Sequence, residues 1–304
     1  DLINRELSKP HDSFPKEMLS IAGADEVIGM HESPVEAYKK KRDSASITVG
    51  IKMVKENKAD AFLSAGNTGA VMTASLMELG KLPGISRPAI STLFPNENGR
   101  GVLIDVGANA DCKPKHLLQF AIMGMVYCKY MLKIDNPRIG LLSIGEEDSK
   151  GNELTIETNR LLRKTELNFI GNVEGKDIIG KKADVVVCDG FTGNVILKFG
   201  ESFIEKFYSG LKNAFTGRSI FRHFGAMLVK PVLKDFIKNA DYSEYGAAPL
   251  LGVNGTSMIC HGRSDAKTMK NALKAAKEMS EQNVNRHIIE ALAKYNIANG
   301  TEAQ

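Results

Sequence analysis

Cysteine is scarce in this chain of 304 residues: Cys112, Cys128, Cys188 and Cys260 are all it has. No two of them form a C-x-x-C pair, so neither a zinc site nor a disulfide framework is indicated, and a reducing, cytoplasmic setting is expected. No apolar run reaches the ~18 residues a transmembrane helix needs. The first residues, Asp1-Leu-Ile-Asn-Arg5, do not have the apolar core of a signal peptide. A large excess of charge is lacking too. At a formal +4 the molecule is no nucleic-acid binder by bulk electrostatics. What is present is an ordinary globular composition, 43% hydrophobic and 25% charged, which suits one α/β unit over residues 1–304.

Short apolar runs alternate with longer amphipathic stretches. Strands are predicted at residues 59–64, 89–94, 101–106, 138–144, 167–170, 183–188 and 257–260. Helices are predicted at 35–42, 47–56, 68–79, 114–132, 153–163, 195–215 and 266–283. Pro114 suits a first helical turn, where its missing N–H is not needed. This alternation predicts an α/β fold, a mostly parallel sheet with helices on both faces. One stretch departs from it. Between Lys212 and Lys238 apolar residues recur at helical spacing, broken by Gly225 and Pro231, which predicts a protruding helical hairpin over 212–240.

Three strand-to-helix turns carry the chemical signal: Ser64-Ala-Gly-Asn-Thr-Gly69, Asp105-Val-Gly-Ala-Asn109 and Asp189-Gly-Phe-Thr-Gly-Asn194. Each combines glycines, which let backbone approach a ligand, with small polar side chains. A helix N-terminus offers free N–H groups and a partial positive charge, a seat for an anion such as phosphate. The same residue types also serve as plain turn and cap residues. Neither Gly-Lys-[Ser/Thr] nor G-x-G-x-x-G is present, so the pattern indicates neither an ATPase loop nor a dinucleotide fingerprint. Lys198, four residues after Asn194 on one helix face, and Lys113 could neutralise an anion; Lys115 and His116 read as surface or capping residues. The acidic loop at residues 145–153 reads as solvated, and no metal or other cofactor is expected. Cys112 beside the second turn reads as a small hydrophobe, not a nucleophile.

Over these stretches the chain resembles the PlsX family of phosphate acyltransferases, acyl-carrier-protein:phosphate acyltransferases of bacterial phospholipid synthesis. The likeness lies in residues 59–70, 103–118 (Leu-Ile-Asp-Val-Gly-Ala-Asn-Ala-Asp-Cys-Lys-Pro-Lys-His-Leu-Leu), 150–154, 168–174 and 183–194, and later in Tyr242-Ser-Glu-Tyr-Gly-Ala247 and His261-Gly-Arg-Ser264. The family opens with a strand leading into an Asp-Ala-Met-Gly-Gly-Asp loop, a segment this sequence does not contain. The resemblance implies a fold like that of phosphotransacetylases and of isocitrate and isopropylmalate dehydrogenases. It implies a homodimer in peripheral contact with the membrane, beside a membrane acyltransferase, with acyl carrier protein and inorganic phosphate as substrates.

The expected reaction moves a fatty acyl group from the carrier thioester to phosphate. Phosphate needs positioning more than activation. Ser64, Gly66, Asn67, Thr68 and Gly69 are expected to form one wall of its site. Asp105, Gly107 and Asn109 form a second with Lys113 nearby, and Asp189, Gly193 and Asn194 a third; Lys198 meets the charge. Of these Asp105, Asn109 and Lys198 are the candidate catalytic residues. The segment 212–238 holds six basic residues against Asp235 alone. Its Phe221, Phe224, Leu228 and Leu233 beside Lys230, Lys234 and Lys238 suit a membrane surface or an acidic carrier protein. Rival readings are a short-chain phosphotransacetylase using acyl-CoA, a decarboxylating dehydrogenase on the same fold, and a non-catalytic scaffold.

Overall fold

The computed structural model describes residues 2–8, 16–215 and 246–295. Its centre is one eight-stranded sheet. The strands are β1 Ala61–Ser64, β2 Ala89–Asn96, β3 Gly99–Ile104, β4 Ile139–Leu142, β5 Phe169–Val173, β6 Val185–Val187, β7 Ala248–Leu251 and β8 Thr256–Ile259, in the spatial order β1-β8-β7-β2-β3-β6-β4-β5. The helices are α1 Leu2–Leu7, α2 Pro34–Lys40, α3 Ser46–Lys55, α4 Thr68–Glu78, α5 Pro114–Leu132, α6 Glu153–Leu162, α7 Gly190–Phe215, α8 Ala266–Glu281 and α9 Val284–Lys294.

Burial explains why the central strands read as unbroken apolar runs. Val102 and Ile104 of β3, and Val185 and Val187 of β6, enter one core with Phe120, Ile122 and Met123 of α5 and Ile288 of α9. The intervening Leu103 and Val186 enter the opposite core with Ile51 of α3 and Val71 of α4. Side chains alternate across a strand, so a strand covered by helices on both faces must be apolar at every position. Each such fully buried aliphatic side chain contributes about 1.5–3 kcal/mol.

The expected α/β fold with a mostly parallel sheet is present, and the antiparallel pairings fall at the sheet's centre. β1–β8, β3–β6, β6–β4 and β4–β5 pair in parallel, whereas β2–β3, β2–β7 and β7–β8 are antiparallel. β7 was not predicted from the sequence. It is a four-residue strand containing Pro249 and flanked by Gly246 and Gly252, a composition that reads locally as a turn. The predicted helix at 266–283 is present as α8, and α9, which was not predicted, follows it after Asn283, which takes φ +49°.

Of the predicted hairpin over 212–240, residues 212–215 are the last turn of α7. The rest lies outside the described residues, with Phe221, Phe224, Leu228, Lys230, Leu233, Lys234 and Lys238. Among the described residues no helix is long and apolar enough to cross a membrane.

Candidate active site

Strand direction decides how the three turns can meet. β1 runs opposite to β3 and β6, so its turn leaves the sheet in the other sense. The strands are short and the antiparallel β7 and β2 lie between the two parallel sets, which closes the gap. Ser64 is level with Ile259 and Ala248, while Leu250 pairs with Ile90 and Ile104 with Ser91. The ends of β1, β3 and β8 therefore converge on a cleft. Its floor is Ile90, Thr92, Val106, Ala248 and Ile259. Thr68 stands at one side, Asn194, Leu197, Lys198 and Glu201 at another, and Cys260, His261, Ser264 and Thr268 close the rim.

Behind this cleft the second turn is organised by one carboxylate. Asp105 is completely buried. Its Oδ1 accepts the backbone N–H of Ile90 (3.1 Å), Gly107 (3.2 Å) and Ala108 (2.9 Å). Its Oδ2 accepts the backbone N–H of Asn109 (2.8 Å) and the Asn109 side-chain amide (2.9 Å). Burial pushes its pKa up, against the opposing pull of the donors from Ala108, Asn109 and Ile90. The Asn109 amide also donates to the Pro88 carbonyl (2.8 Å). Gly107 adopts φ +137°, open to glycine alone at little cost.

The third turn is locked to the second. The Gly190 N–H donates to the Asn109 carbonyl (2.8 Å). A Cβ on Gly193 would stand 1.9 Å from the Asp105 carbonyl oxygen, so only glycine lets α7 approach this closely. Asp189 caps α7: its Oδ1 accepts the Thr192 N–H (2.9 Å) and its Oδ2 the Thr192 hydroxyl (2.7 Å). The N–H of Gly193 goes to the Asp189 carbonyl (2.9 Å). The first turn of α7 is thus largely satisfied by the protein itself.

The first turn of the chain's candidate site is freer. Asn67 caps α4, its Oδ1 accepting the Ala70 N–H (3.1 Å) while its Nδ2 donates to the carbonyls of Gly29, Met30 and Glu32 (3.2 Å each). The Ser64 hydroxyl accepts the Gly66 N–H (3.1 Å). Gly69 makes room for the Pro34 ring, whose Cγ would lie 2.5 Å from a Cβ there. The N–H groups of Thr68 and Gly69 have no acceptor among the described residues, which leaves the positive end of α4 available at the cleft.

Of the residues expected in the site, Thr68, Asn194 and Lys198 thus line one cleft. Ser64, Gly66, Asn67, Gly69, Asp105, Gly107, Asn109, Asp189 and Gly193 build the turns around it. The Lys198 ammonium lies 2.9 Å from Glu201 Oε2, a partner the sequence did not suggest. Lys113 is exposed at the start of α5 and is not part of the lining. His116 accepts the Lys113 N–H at Nδ1 (3.1 Å), a capping contact that needs the unprotonated ring nitrogen. Glu201, His261, Ser264 and Thr268 were missed as lining residues. Their one signal was the His261–Ser264 stretch within the family likeness. The Ser264 hydroxyl is buried without a partner among the described residues, and Asp265 caps α8, its Oδ1 accepting the Thr268 N–H (2.8 Å) and hydroxyl (2.6 Å).

Two further groups are accounted for by their neighbours. In the acidic loop, Asp148 accepts from Asn159 (3.1 Å) and Arg163 (2.5 Å), and Glu146 faces Lys182 (3.1 Å). Cys112 donates to the Asn109 carbonyl (3.5 Å), and burial, then the Asp105 charge, pushes its thiol up to about 12. A thiol held that high supplies almost no thiolate at neutral pH. Cys112→Ala should therefore keep acyl-transfer activity within a few-fold; a rate loss of ~10³-fold or an isolable acyl-Cys112 would overturn this.

Comparison with known proteins places the chain in a family and a fold. The family model described as "Fatty acid synthesis protein" matches residues 1–287. A phosphate acyltransferase of Halothermothrix orenii is 51% identical over 284 residues, covering 93% of this chain and 84% of its own. One from Heliobacterium modesticaldum is 51% identical over 277 residues, covering 91% and 82%. Among solved structures, the EutD phosphotransacetylase of Staphylococcus aureus superposes with a TM-score of 0.50 at 13% identity, over 84% of this chain and 71% of that one. That likeness concerns the fold. The sequence relationship over nearly the whole chain goes further: the protein belongs to the PlsX family of phosphate acyltransferases, fatty acid synthesis proteins with acyltransferase activity.

Proposed function

We propose that this protein transfers a fatty acyl group from acyl carrier protein to inorganic phosphate, releasing an acyl phosphate. The observation that carries this reading is the N-terminus of α4, where Thr68, its N–H free, lines a cleft that also holds Asn194 and Lys198, with the free N–H of Gly69 next along the helix. Phosphate takes the α4 end in preference to α7, because the Asp189 carboxylate already occupies the first turn of α7. Lys198 sits across the cleft and offsets the dianion's charge while Glu201 holds its ammonium in place.

In this scheme a phosphate oxygen attacks the thioester carbonyl. The C–O bond forms, the oxyanion collapses, and the C–S bond breaks. The proton of hydrogen phosphate ends on the departing thiolate, so the products are the acyl phosphate and the free carrier thiol. No protein nucleophile is required. The chain supplies orientation and fixed dipoles. Asp105 and Asn109 act as positioning residues, fixing the second and third turns. On the same reading the protein works in the cytoplasm as a homodimer and meets the membrane, where its product is used, through the segment beyond α7.

The test is an acyl phosphate assay with hydroxylamine trapping. Product should require phosphate and should form from acyl carrier protein thioesters. Product from short acyl-CoA alone would favour the phosphotransacetylase reading, and none from either donor would remove the catalytic one. Phosphate at about tenfold its dissociation constant should also stabilise the protein by about 1.4 kcal/mol over chloride of equal ionic strength. Lys198→Ala should shrink that increment.

A further inference from the structure

Lysine and arginine in the described residues are commonly ion-paired, as Arg42 is with Glu78, Arg138 with Asp184 and Arg163 with Asp148. One group is not. Lys81, Arg87, Lys113 and Lys115 are all exposed, and none has an ion pair among the described residues. They come from two segments, residues 79–88 between α4 and β2 and residues 109–116 leading into α5.

Those segments are fastened side by side. Gln119 of α5, fully buried, donates to the Gly84 carbonyl (2.8 Å) and accepts the Ser86 N–H (2.8 Å). Asn109 donates to the Pro88 carbonyl (2.8 Å). The Lys81 ammonium is drawn toward the Ser86 carbonyl (3.0 Å). The only acid within either segment is the exposed Asp111. His116, half-buried among them, is held toward its neutral form by burial and then by Arg87, Lys113, Lys115 and Lys81. A local positive field is therefore felt by a group inside the cluster.

The position matters as much as the sign. Arg87 and Pro88 run into β2, whose Ile90 and Thr92 floor the cleft, and the second segment begins three residues after Val106 of the same floor. The Asn109 carbonyl holds the start of α7, whose Asn194 and Lys198 line the cleft. The cationic face thus adjoins the reaction site on a rigid frame. No large apolar side chain is exposed within residues 79–88 or 109–119. An anionic membrane surface favours basic residues interleaved with inserted apolar ones, whereas an acidic protein surface needs charge alone.

We propose that Lys81, Arg87, Lys113 and Lys115 form the docking face for the acidic carrier protein that delivers the acyl thioester. This rests on the reaction proposed above. It also gives Lys113 a role outside the phosphate site.

The test compares wild type with the triple variant Lys81→Glu, Arg87→Glu, Lys115→Glu, which spares Lys113. Two donors are used, the acyl carrier protein thioester and the same acyl group on pantetheine. The KM for the carrier should rise about tenfold or more. The kinetics with acyl-pantetheine should stay within twofold, and raising salt should weaken only the carrier reaction of wild type. Should the Glu variant be unstable, the corresponding Gln variant should give a smaller shift in the same direction. Equal carrier KM in wild type and variant overturns the docking face while leaving the reaction intact. Loss of binding to anionic phosphatidylglycerol vesicles with carrier KM unchanged overturns it in favour of a membrane contact. If wild type makes acyl phosphate from neither donor, the reaction itself fails. Titration of wild type and variant with fluorescent carrier protein then still decides the docking face, equal affinities overturning it.

Discussion

Asp105→Asn should cost on the order of 3–5 kcal/mol of stability and lower acyl transfer at least ~100-fold. The carboxylate accepts five N–H bonds in a site with no access to water. An amide can accept at only one atom, and its NH2 would face the Asn109 donors that the native oxygen serves. Those donors would lose their partner, and the turn would relax away from Gly190 and Gly193. The consequence for function follows from distance. Asn194 and Lys198 follow Gly193 on α7, so a shift of about 1 Å there moves the cleft wall. Thermal unfolding should drop by about 5–10 °C. An Asp105→Asn protein with wild-type melting and wild-type kcat would refute the positioning role.

That role was only partly legible in the sequence. The turns containing Asp105, Asp189 and Asn67 stood out because Gly, Asn and Asp collect where backbone N–H groups need partners. Composition alone does not tell whether those side chains serve a ligand or the backbone, and here they serve mainly the backbone. Thr68 reaches the cleft at the start of α4, and Lys198 about two turns into α7, one turn beyond Asn194. Ser264, Thr268 and Glu201 had no comparable signal. Ser264 and Thr268 follow β8, which pairs with β1 almost 200 residues earlier, and Glu201 comes in on α7.

The same distinction runs through the fold. β3 and β6 were readable because both of their faces are buried, so each residue carries the apolar signal. β7 was not, since a strand of four residues with a proline offers too few positions for any period. The parallel majority was expected from the alternation, but strand order and the antiparallel centre were out of reach. The hairpin between β2 and β3 turns at Asn96–Gly99, and it is this antiparallel pair, with β7, that sets the β1 turn against the β3 and β6 turns.

Glu78 should make the fold acid-sensitive in a way one substitution removes. It ends α4 with its side chain almost wholly buried, accepting the Tyr38 hydroxyl (2.6 Å) and Arg42 Nε (2.8 Å), with the Lys55 ammonium 3.5 Å away. It thereby ties α2, α3 and α4 together at the end of α4 opposite Thr68. Burial alone would raise its pKa, but the Arg42 and Tyr38 hydrogen bonds and the Arg42 charge prevail and lower it from 4.5 to about 2. Folding thus makes this carboxyl more acidic, and the unfolded chain takes up the proton first. The stabilisation is complete above the unfolded value and is lost as pH falls through the folded one. A shift of this size corresponds to roughly 2–3 kcal/mol, allowing for the half-exposed Arg42. Glu78→Gln keeps the shape and removes the charge, so it should unfold more readily by about that amount at pH 7. As pH is lowered from about 5 toward 2, the two proteins should converge, because wild type then loses what the variant never had. Melting curves of both proteins across this range isolate Glu78 from the other carboxylates, which the two share. A gap of equal size at neutral and acid pH would mean that the contribution comes from packing and not from the ionised carboxylate.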